Sequence, residues 1–264
     1  MSNTIYENFI LESKLTDLLN TKLAARSLMT LDTSLVGQAG EKKTINVYTY
    51  TGAVETMATV GATNSTRGAI SFVPVSYDLL LSQQVFDYYD EEISVDPKIL
   101  DMGMEGSASL MVNDINTKYF AELAKGTVGS TWVNGGAISY DTVVDAISLM
   151  TLEDETGLFL IISTDLKADL RKDPDFMAAR QGEMLFNGQI GSISGVPVVV
   201  SKLTPASTAY LATKDAVTLF TKKDSEVEQA RDAESRMNTV ILRKVELVAL
   251  TNDTKVVVLT EAAV

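Results

Sequence analysis

Gly191-Ser192-Ile193-Ser194-Gly195 comes close to the G-x-S-x-G turn that presents a nucleophilic serine, and the glycines from Gly188 onward suggest a phosphate cradle. Neither chemistry is completed. The centre of the pentapeptide is Ile193, the chain has no His to activate a hydroxyl, and neither G-x-G-x-x-G nor G-x-x-x-x-G-K-[ST] occurs. Asp90-Glu91-Glu92 and Glu153-Asp154-Glu155 offer carboxylate oxygens suited to a hard cation such as Ca²⁺, but neither run has the alternating ligand spacing of a loop site, and a solvated acidic face is the plainer reading. One carboxylate and one amine, Asp165 and Lys167, do not define a reaction. Lys42-Lys43, Lys222-Lys223 and Arg243-Lys244 are too scattered for a nucleic-acid patch and read as ion-pair partners of acidic neighbours. The expectation is therefore a chain that is not an enzyme, with no catalytic, cofactor-binding or metal-binding residues and no cofactor.

Composition narrows the classes further. The 264 residues suffice for one large domain or two smaller ones sharing a core, and 45% hydrophobic with 22% charged residues is ordinary for a folded globular chain. Without Cys, neither disulfides nor thiolate metal sites can stabilise it, and without His the commonest general base and metal ligand are gone. The net charge of −13, from 35 acidic and 22 basic residues, opposes tight binding to phosphates, so any contact with DNA should be weak and non-specific. The longest apolar runs, Leu158 to Ile162 and Val196 to Val200, are strand-sized, so no membrane span is expected. The first 20 residues carry Glu7, Glu12 and Asp17 and lack the pattern of a secretory signal, which predicts a cytoplasm-like compartment.

The elements that would position any site are organised around one stretch. From Asp96 to Gly126, Leu100, Met104, Ala108, Met111, Val112, Ile115, Tyr119 and Leu123 recur at three- and four-residue steps, which predicts an amphipathic helix about 45 Å long. Asp96 is the expected cap, Pro97 the first helical residue and Gly126 the stop; Gly103 and Gly106 suggest close approach of another backbone. Before it, Ile5 to Leu28 has helical spacing, as one kinked helix or two short ones. Thr44 to Tyr50 and Ala69 to Phe86 read as extended, with Pro74 confining the second to an edge, around a small, polar loop from Ala53 to Gly68. They predict a two-stranded arm, marginal by itself, that leans on another surface. Asp87 to Asp96 reads as an acidic linker and Thr127 to Ile138 as a turn-rich stretch.

A second compact region follows: a helix from Asp141 to Thr151, a buried strand from Gly157 to Ser163, a helix from Thr164 to Lys172, a helical or irregular stretch from Phe176 to Phe186, and two short strands around Gly195. The remainder reads as strands at Tyr210 to Ala212, Ala216 to Phe220, Val227 to Gln229, Thr239 to Leu250 and Lys255 to Thr260. Asp232 to Arg236 is expected as a polar loop, and Thr251-Asn252-Asp253 as a hairpin turn joining the last two strands.

This order, and the stretch Gly188-Gln189-Ile190-Gly191-Ser192-Ile193-Ser194-Gly195-Val196-Pro197-Val198-Val199-Val200-Ser201 in particular, resembles the major capsid proteins of tailed bacteriophages. The stretch is similar to the family's "G-x-I-x-G-x-P-V-V-x-S" strand pair, with Leu158 to Ser163 as the buried strand before it. The resemblance implies an α+β chain of Hong Kong 97-like fold: an N-terminal arm at 1–32, an extended loop hairpin at 33–81, a peripheral domain with a long spine helix at 82–132 and 216–264, and an axial domain at 133–215. It implies a shell protein that self-assembles as pentamers and hexamers around double-stranded DNA, with a portal and a separate scaffolding protein as partners, no membrane, assembly in the host cytoplasm and residence in the virion. The alternative is an encapsulin-like compartment enclosing enzyme cargo. On either reading the candidate subunit-interface residues are Lys42, Lys43, Tyr48, Tyr50, Arg67, Phe72, Arg231 and Arg236.

Overall fold

The computed structural model describes residues 25–38, 40–57, 59, 61, 63, 65–132, 137–152, 155–175 and 191–262. The chain divides into two compact units, one formed by Ala39–Leu79 and the other by the rest of the described residues. The smaller unit is a two-stranded antiparallel ribbon, β2 (Lys42–Thr51) against β3 (Ala69–Asp78), in unbroken register from Lys42↔Asp78 to Thr51↔Ala69. Pro74 falls within β3, where a two-stranded ribbon leaves one edge that needs no N–H.

The larger unit opens with a single 3-10 turn, Ala25–Leu28, and the three-residue strand β1 (Thr30–Asp32). It continues with β4 (Leu81–Tyr89), α1 (Asp90–Val95), α2 (Ile99–Leu123), β5 (Val128–Trp132), α3 (Tyr140–Leu149), β6 (Leu158–Ile162) and α4 (Thr164–Lys172). The last strands are β7 (Ser192–Ile193), β8 (Val196–Val200), β9 (Thr208–Thr213), β10 (Val217–Asp232), β11 (Met237–Leu250) and β12 (Val256–Glu261). Two sheets result, ordered β1-β10-β11-β4 and β5-β12-β9-β6-β8-β7.

The helix α2 lies between them. Every residue of its predicted stripe is buried, from Leu100 to Leu123. The stripe shares a core with Val240, Leu242 and Val248 of the four-stranded sheet and with Phe159, Ile161, Tyr210 and Val256 of the six-stranded one. The opposite face of the six-stranded sheet builds a second core, where Leu158, Leu160, Ile162, Leu211 and Leu259 meet Val143 and Ala146 of α3 and Leu166 and Leu170 of α4. Alternate residues of β6 thus feed two cores, which explains why all five of its residues are buried.

Several sequence expectations are corrected. The acidic linker does not exist: β4 runs to Tyr89, and Asp90–Val95 form a helix whose Glu92 reaches back to accept from the Tyr89 N–H at 3.0 Å. Three carboxylates in its first turn suit the free amides there. Asp96 ends that helix and caps the turn into the next, accepting from the Lys98 N–H at 2.9 Å, and Pro97 occupies the turn rather than the first helical position. The extended stretch after Ala69 is two strands in different sheets, β3 and β4. The turn-rich stretch after Gly126 contains a strand, β5, which pairs parallel with β12. Ala216 to Gln229 is not two strands but most of the single 16-residue β10, whose pairing with β11 shifts register between Thr221 and Glu226. Because β11 and β12 lie in different sheets, Thr251-Asn252-Asp253 is a connection and not a hairpin turn. The readings of residues 5–24, 176–186 and 188–190 lie outside the described residues.

The two helix glycines separate cleanly. A Cβ on Gly103 would stand 2.6 Å from the Phe86 ring of β4, so the close approach is to a side chain and not to a backbone, whereas at Gly106 it would meet nothing within 4 Å. Gly106→Ala is therefore expected to raise stability by about 0.5–1 kcal/mol through helix propensity alone. Gly103→Val, which drives a branched side chain into Phe86, is expected to lower it by about 1–3 kcal/mol. Urea unfolding of the two variants checks both; equal shifts would contradict the packing argument.

Candidate interaction surface

The chemistry considered from the sequence does not converge. Ser194 and Gly195, both at positive φ (48° and 84°), form the two-residue turn between β7 and β8, so this glycine serves a tight hairpin. Asp90 and Glu91 are engaged by arginines, at 2.8 Å from Arg231 and 2.7 Å from Arg236, and Asn238 adds a bond to Asp90 at 2.6 Å. Glu153 and Asp154 lie outside the described residues. Among the described residues no three His, Cys, Asp or Glu side chains come close enough to hold a metal ion, and no helix is long and apolar enough to cross a membrane.

What the structure does present is apolar surface. Tyr48, Tyr50, Ile70 and Phe72 of the ribbon are 59–72% exposed, and Val47, Val73 and Val75 are 38–65% exposed. The aromatic side is ordered in advance. Tyr48 and Phe72 face each other across the strands with ring centres 6.0 Å apart, and Tyr50 lies over Gly52 and Gly68, where a Cβ on Gly68 would strike its hydroxyl. Glycine at those two positions leaves the room in which the ring rests flat.

The tip is tied as well. The Glu55 carboxylate accepts from Ser65 Oγ at 2.6 Å, from the Ser65 N–H at 2.9 Å and from the Thr66 N–H at 2.8 Å. The Ser65 hydroxyl, then the backbone amides, hold its pKa down to about 2 from an ordinary 4.5. A depressed acid contributes its tie above its unfolded pKa and loses it as pH falls through the folded value. Carbon-detected NMR titration of Glu55 is expected to show a midpoint near 2, and Glu55→Gln to speed amide exchange at Ser65 and Thr66; a midpoint near 4.5 would show the tie absent in solution.

The candidate interface residues fall into two groups. Lys42, Lys43, Tyr48, Tyr50, Arg67 and Phe72 are in the ribbon unit, with Lys42 3.4 Å from Asp78 at its base. Arg231 and Arg236 belong to the other unit, where they bind α1 to the end of β10 and to the β10–β11 turn respectively. Their charges are used within the chain, and the Arg231 and Asn238 bonds hold the Asp90 carboxyl below the usual range. Sequence reading missed the Glu55 tie, whose partners lie 10 and 11 residues away in a stretch without periodicity. It expected Lys244 to pair with an acidic neighbour, which is Glu246 at 2.6 Å, but missed that this pair is buried on the inner face of β11.

The model of a family described as "Phage capsid protein" matches residues 82–258. No curated protein matches the chain in sequence. Among solved structures, the capsid of a native GTA particle superposes with a TM-score of 0.74 at 12% identity, covering 92% of this chain and 91% of that one. The capsid of cyanophage P-SCSP1u gives 0.71 at 12% identity over 90% and 87%. A virus-like particle from Pyrococcus furiosus gives 0.67 at 12% identity over 97% and 100%. At these identities the structures speak for the fold, which is of the Hong Kong 97 type.

Proposed function

This chain belongs to the phage capsid protein family, and we propose that it is the repeating subunit of the icosahedral shell that encloses the double-stranded DNA of a tailed phage. The role is structural: one set of contacts, repeated by symmetry, closes a container. The observation that carries the reading is the β2–β3 ribbon, in which Tyr48, Tyr50, Ile70 and Phe72 remain exposed on two strands that would be marginal alone in water. Identical neighbours would supply the missing cover, so Lys42, Lys43, Tyr48, Tyr50, Arg67 and Phe72 of the ribbon, and Arg231 and Arg236 of the larger unit, are assigned to contacts between copies.

The net charge of −13 fits a wall that does not grip the packaged polymer. Pentamers and hexamers as building units, residence in the virion after assembly in the host cytoplasm, a portal and a separate scaffolding protein complete the proposal. Electron microscopy and sedimentation of the purified full chain test it. Hollow closed particles, or rings of five and six, are expected at high concentration, and particles isolated from infected cells should protect DNA from nuclease. A persistent monomer would overturn the reading, and protected protein cargo without DNA would replace it with an enzyme compartment.

A further inference from the structure

One side of β4 is paired with β11 over all nine residues without a bulge, and among the described residues no strand pairs with its other side. The rungs alternate. Because the Asp90 N–H bonds the Arg236 carbonyl at 3.2 Å, the even residues Ser82, Gln84, Phe86 and Tyr88 direct their backbone groups at β11, and Leu81, Gln83, Val85, Asp87 and Tyr89 direct theirs at the open side. Two of these outward groups have partners within the chain, the Tyr89 N–H on Glu92 at 3.0 Å and the Val85 carbonyl on the Gln84 amide at 3.3 Å. Pro, Lys and a bulge, the common protections of an exposed edge, are all missing from this strand.

Apolar surface flanks the edge in both layers. On the outer face of the sheet, Leu81, Val85 and Tyr89 are 40–54% exposed. Over the inner face α2 runs antiparallel to β4, since its Gly103 meets Phe86 while Asp114 and Lys118 bond Ser82. At about 3.3 Å per strand residue and about 1.5 Å per helix residue, those two contacts put Val85 level with Gly106. Gly106 has open space above it, and the exposed Met102 and Leu110 stand four residues to either side. An open cavity of about 380 Å³ lies between Leu110 and the start of β4, where Leu80, Leu81 and Gln84 line it.

A twofold axis at Val85 matches each of these features with its own copy. Antiparallel pairing of β4 with a second β4 about that axis aligns all nine residues, Leu81 opposite Tyr89 and Val85 opposite Val85, so the apolar row continues across the seam. Gln83 falls opposite Asp87. The Arg243 Nε–H donates to Gln83 Oε1 at 3.1 Å, which leaves the Gln83 amide nitrogen to donate to the Asp87 carboxylate across the seam, while Asp87 Oδ1 still accepts from Thr239 at 2.7 Å. This charge complementarity, present twice about one axis, selects a copy of the chain as the occupant. The same axis passes between two Gly106 residues and sets Leu110 of each copy against Met102 of the other, whose adaptable side chain enters the cavity. Because α2 lies over both β4 and β11, strands about 4.8 Å apart bring the two helices to about 10 Å, the spacing at which helices pack.

We propose that β4 is a self-complementary docking edge, at which two copies join about a twofold axis at Val85, their four-stranded sheets become one continuous sheet, and their α2 helices pack across it at Gly106. The inference rests on the shell reading and adds a contact that closes on itself, so it ties one ring of subunits to the next rather than extending a ring.

The chain has no Cys, so single cysteines report the axis. Full-length V85C, L81C and Y89C are oxidised after assembly. V85C places two sulfurs across the axis with Cα atoms about 5.5 Å apart, within disulfide range, and is expected to give covalent dimers and nothing larger. In L81C or Y89C alone the two sulfurs lie about 26 Å apart along the strand and stay unlinked, while L81C with Y89C in one chain restores the dimer. V85P is the second probe. The Val85 N–H faces the open edge, so proline removes no bond of the folded chain; it is expected to keep the wild-type circular dichroism and to raise the concentration needed for assembly on the order of tenfold. Particles in which V85C stays monomeric, or in which L81C and Y89C link as readily, overturn the inference and leave the shell reading standing, as does V85P assembling at the wild-type concentration. V85C dimers from a chain that never forms particles would uphold the axis and sink the shell reading.

Discussion

Replacing Lys244 alone with Met is expected to lower stability by about 3–5 kcal/mol, whereas replacing Lys244 with Met and Glu246 with Leu together recovers most of that loss. The two side chains sit on the inner face of β11, between Leu242 and Val248, and are 4% and 8% exposed. The ammonium stands 2.6 Å from Glu246 Oε1, so each buried charge has the other as its counter-charge. Removing one member leaves a buried charge without its counter-charge; removing both leaves an apolar strand face under a helix that already offers Met111 and Ile115. A void of about 10 Å³ lies beside the pair, also lined by Ser82, Asp114 and Lys118, which is the room one water needs. Guanidinium unfolding of the two single variants and the double variant closes the cycle. A loss in the double variant equal to the sum of the two single losses would show that the pair contributes no coupling.

Truncating the strand that feeds both cores should be about as damaging. Ile161→Ala removes a fully buried side chain from the core around α2, and Leu160→Ala removes one from the core around α3 and α4. Each is expected to cost about 2–5 kcal/mol, the range for a cavity that its surroundings fill only in part. Since β6 is the same strand in both cases, hydrogen exchange is expected to rise in both cores for either variant. A rise confined to the core of the substituted residue would mean that the cores unfold separately.

The parts of the fold that were legible beforehand are those where a single local rule suffices. The stripe from Leu100 to Leu123 is buried as its spacing requires, and the apolar run at β6 is a buried strand. The misreadings share a cause, which is that partners distant in sequence decide the outcome. Val128-Gly129-Ser130-Thr131-Trp132 has weak alternation and is a strand because β12 pairs with it. Lys222-Lys223-Asp224 breaks the apolar pattern of β10 at the same place where its pairing slips, so one strand looked like two. Thr251-Asn252-Asp253 has turn chemistry, and nothing local says that the chain leaves one sheet for another there. Arg243 and Lys244 are ion-pair partners of acidic neighbours as expected, and what went unread is burial, since counting by twos from Val240 through Leu242, Lys244, Glu246 and Val248 puts Lys244 on the inner row. The exposed aromatics of the ribbon were legible as candidates because Tyr48, Tyr50 and Phe72 are too large for a polar hairpin. The opposite valine face was not weighed as surface, since alternation normally hides one side.

The placing of β12 between β5 and β9 bears on the timing of synthesis. The strand is made of residues 256–261, yet it sits in the interior of a sheet whose other members come from residues 128–213. Until it has left the ribosome, β5 has no strand to pair with and Val257 and Leu259 are missing from the second core. A nascent chain therefore carries an unfinished layer until translation has passed residue 261, and then closes it through contacts far apart in sequence, a slow class of folding step. A ribosome-tethered chain halted before that point should be open to protease along β5 and β9, and become resistant only once residues 256–261 have emerged.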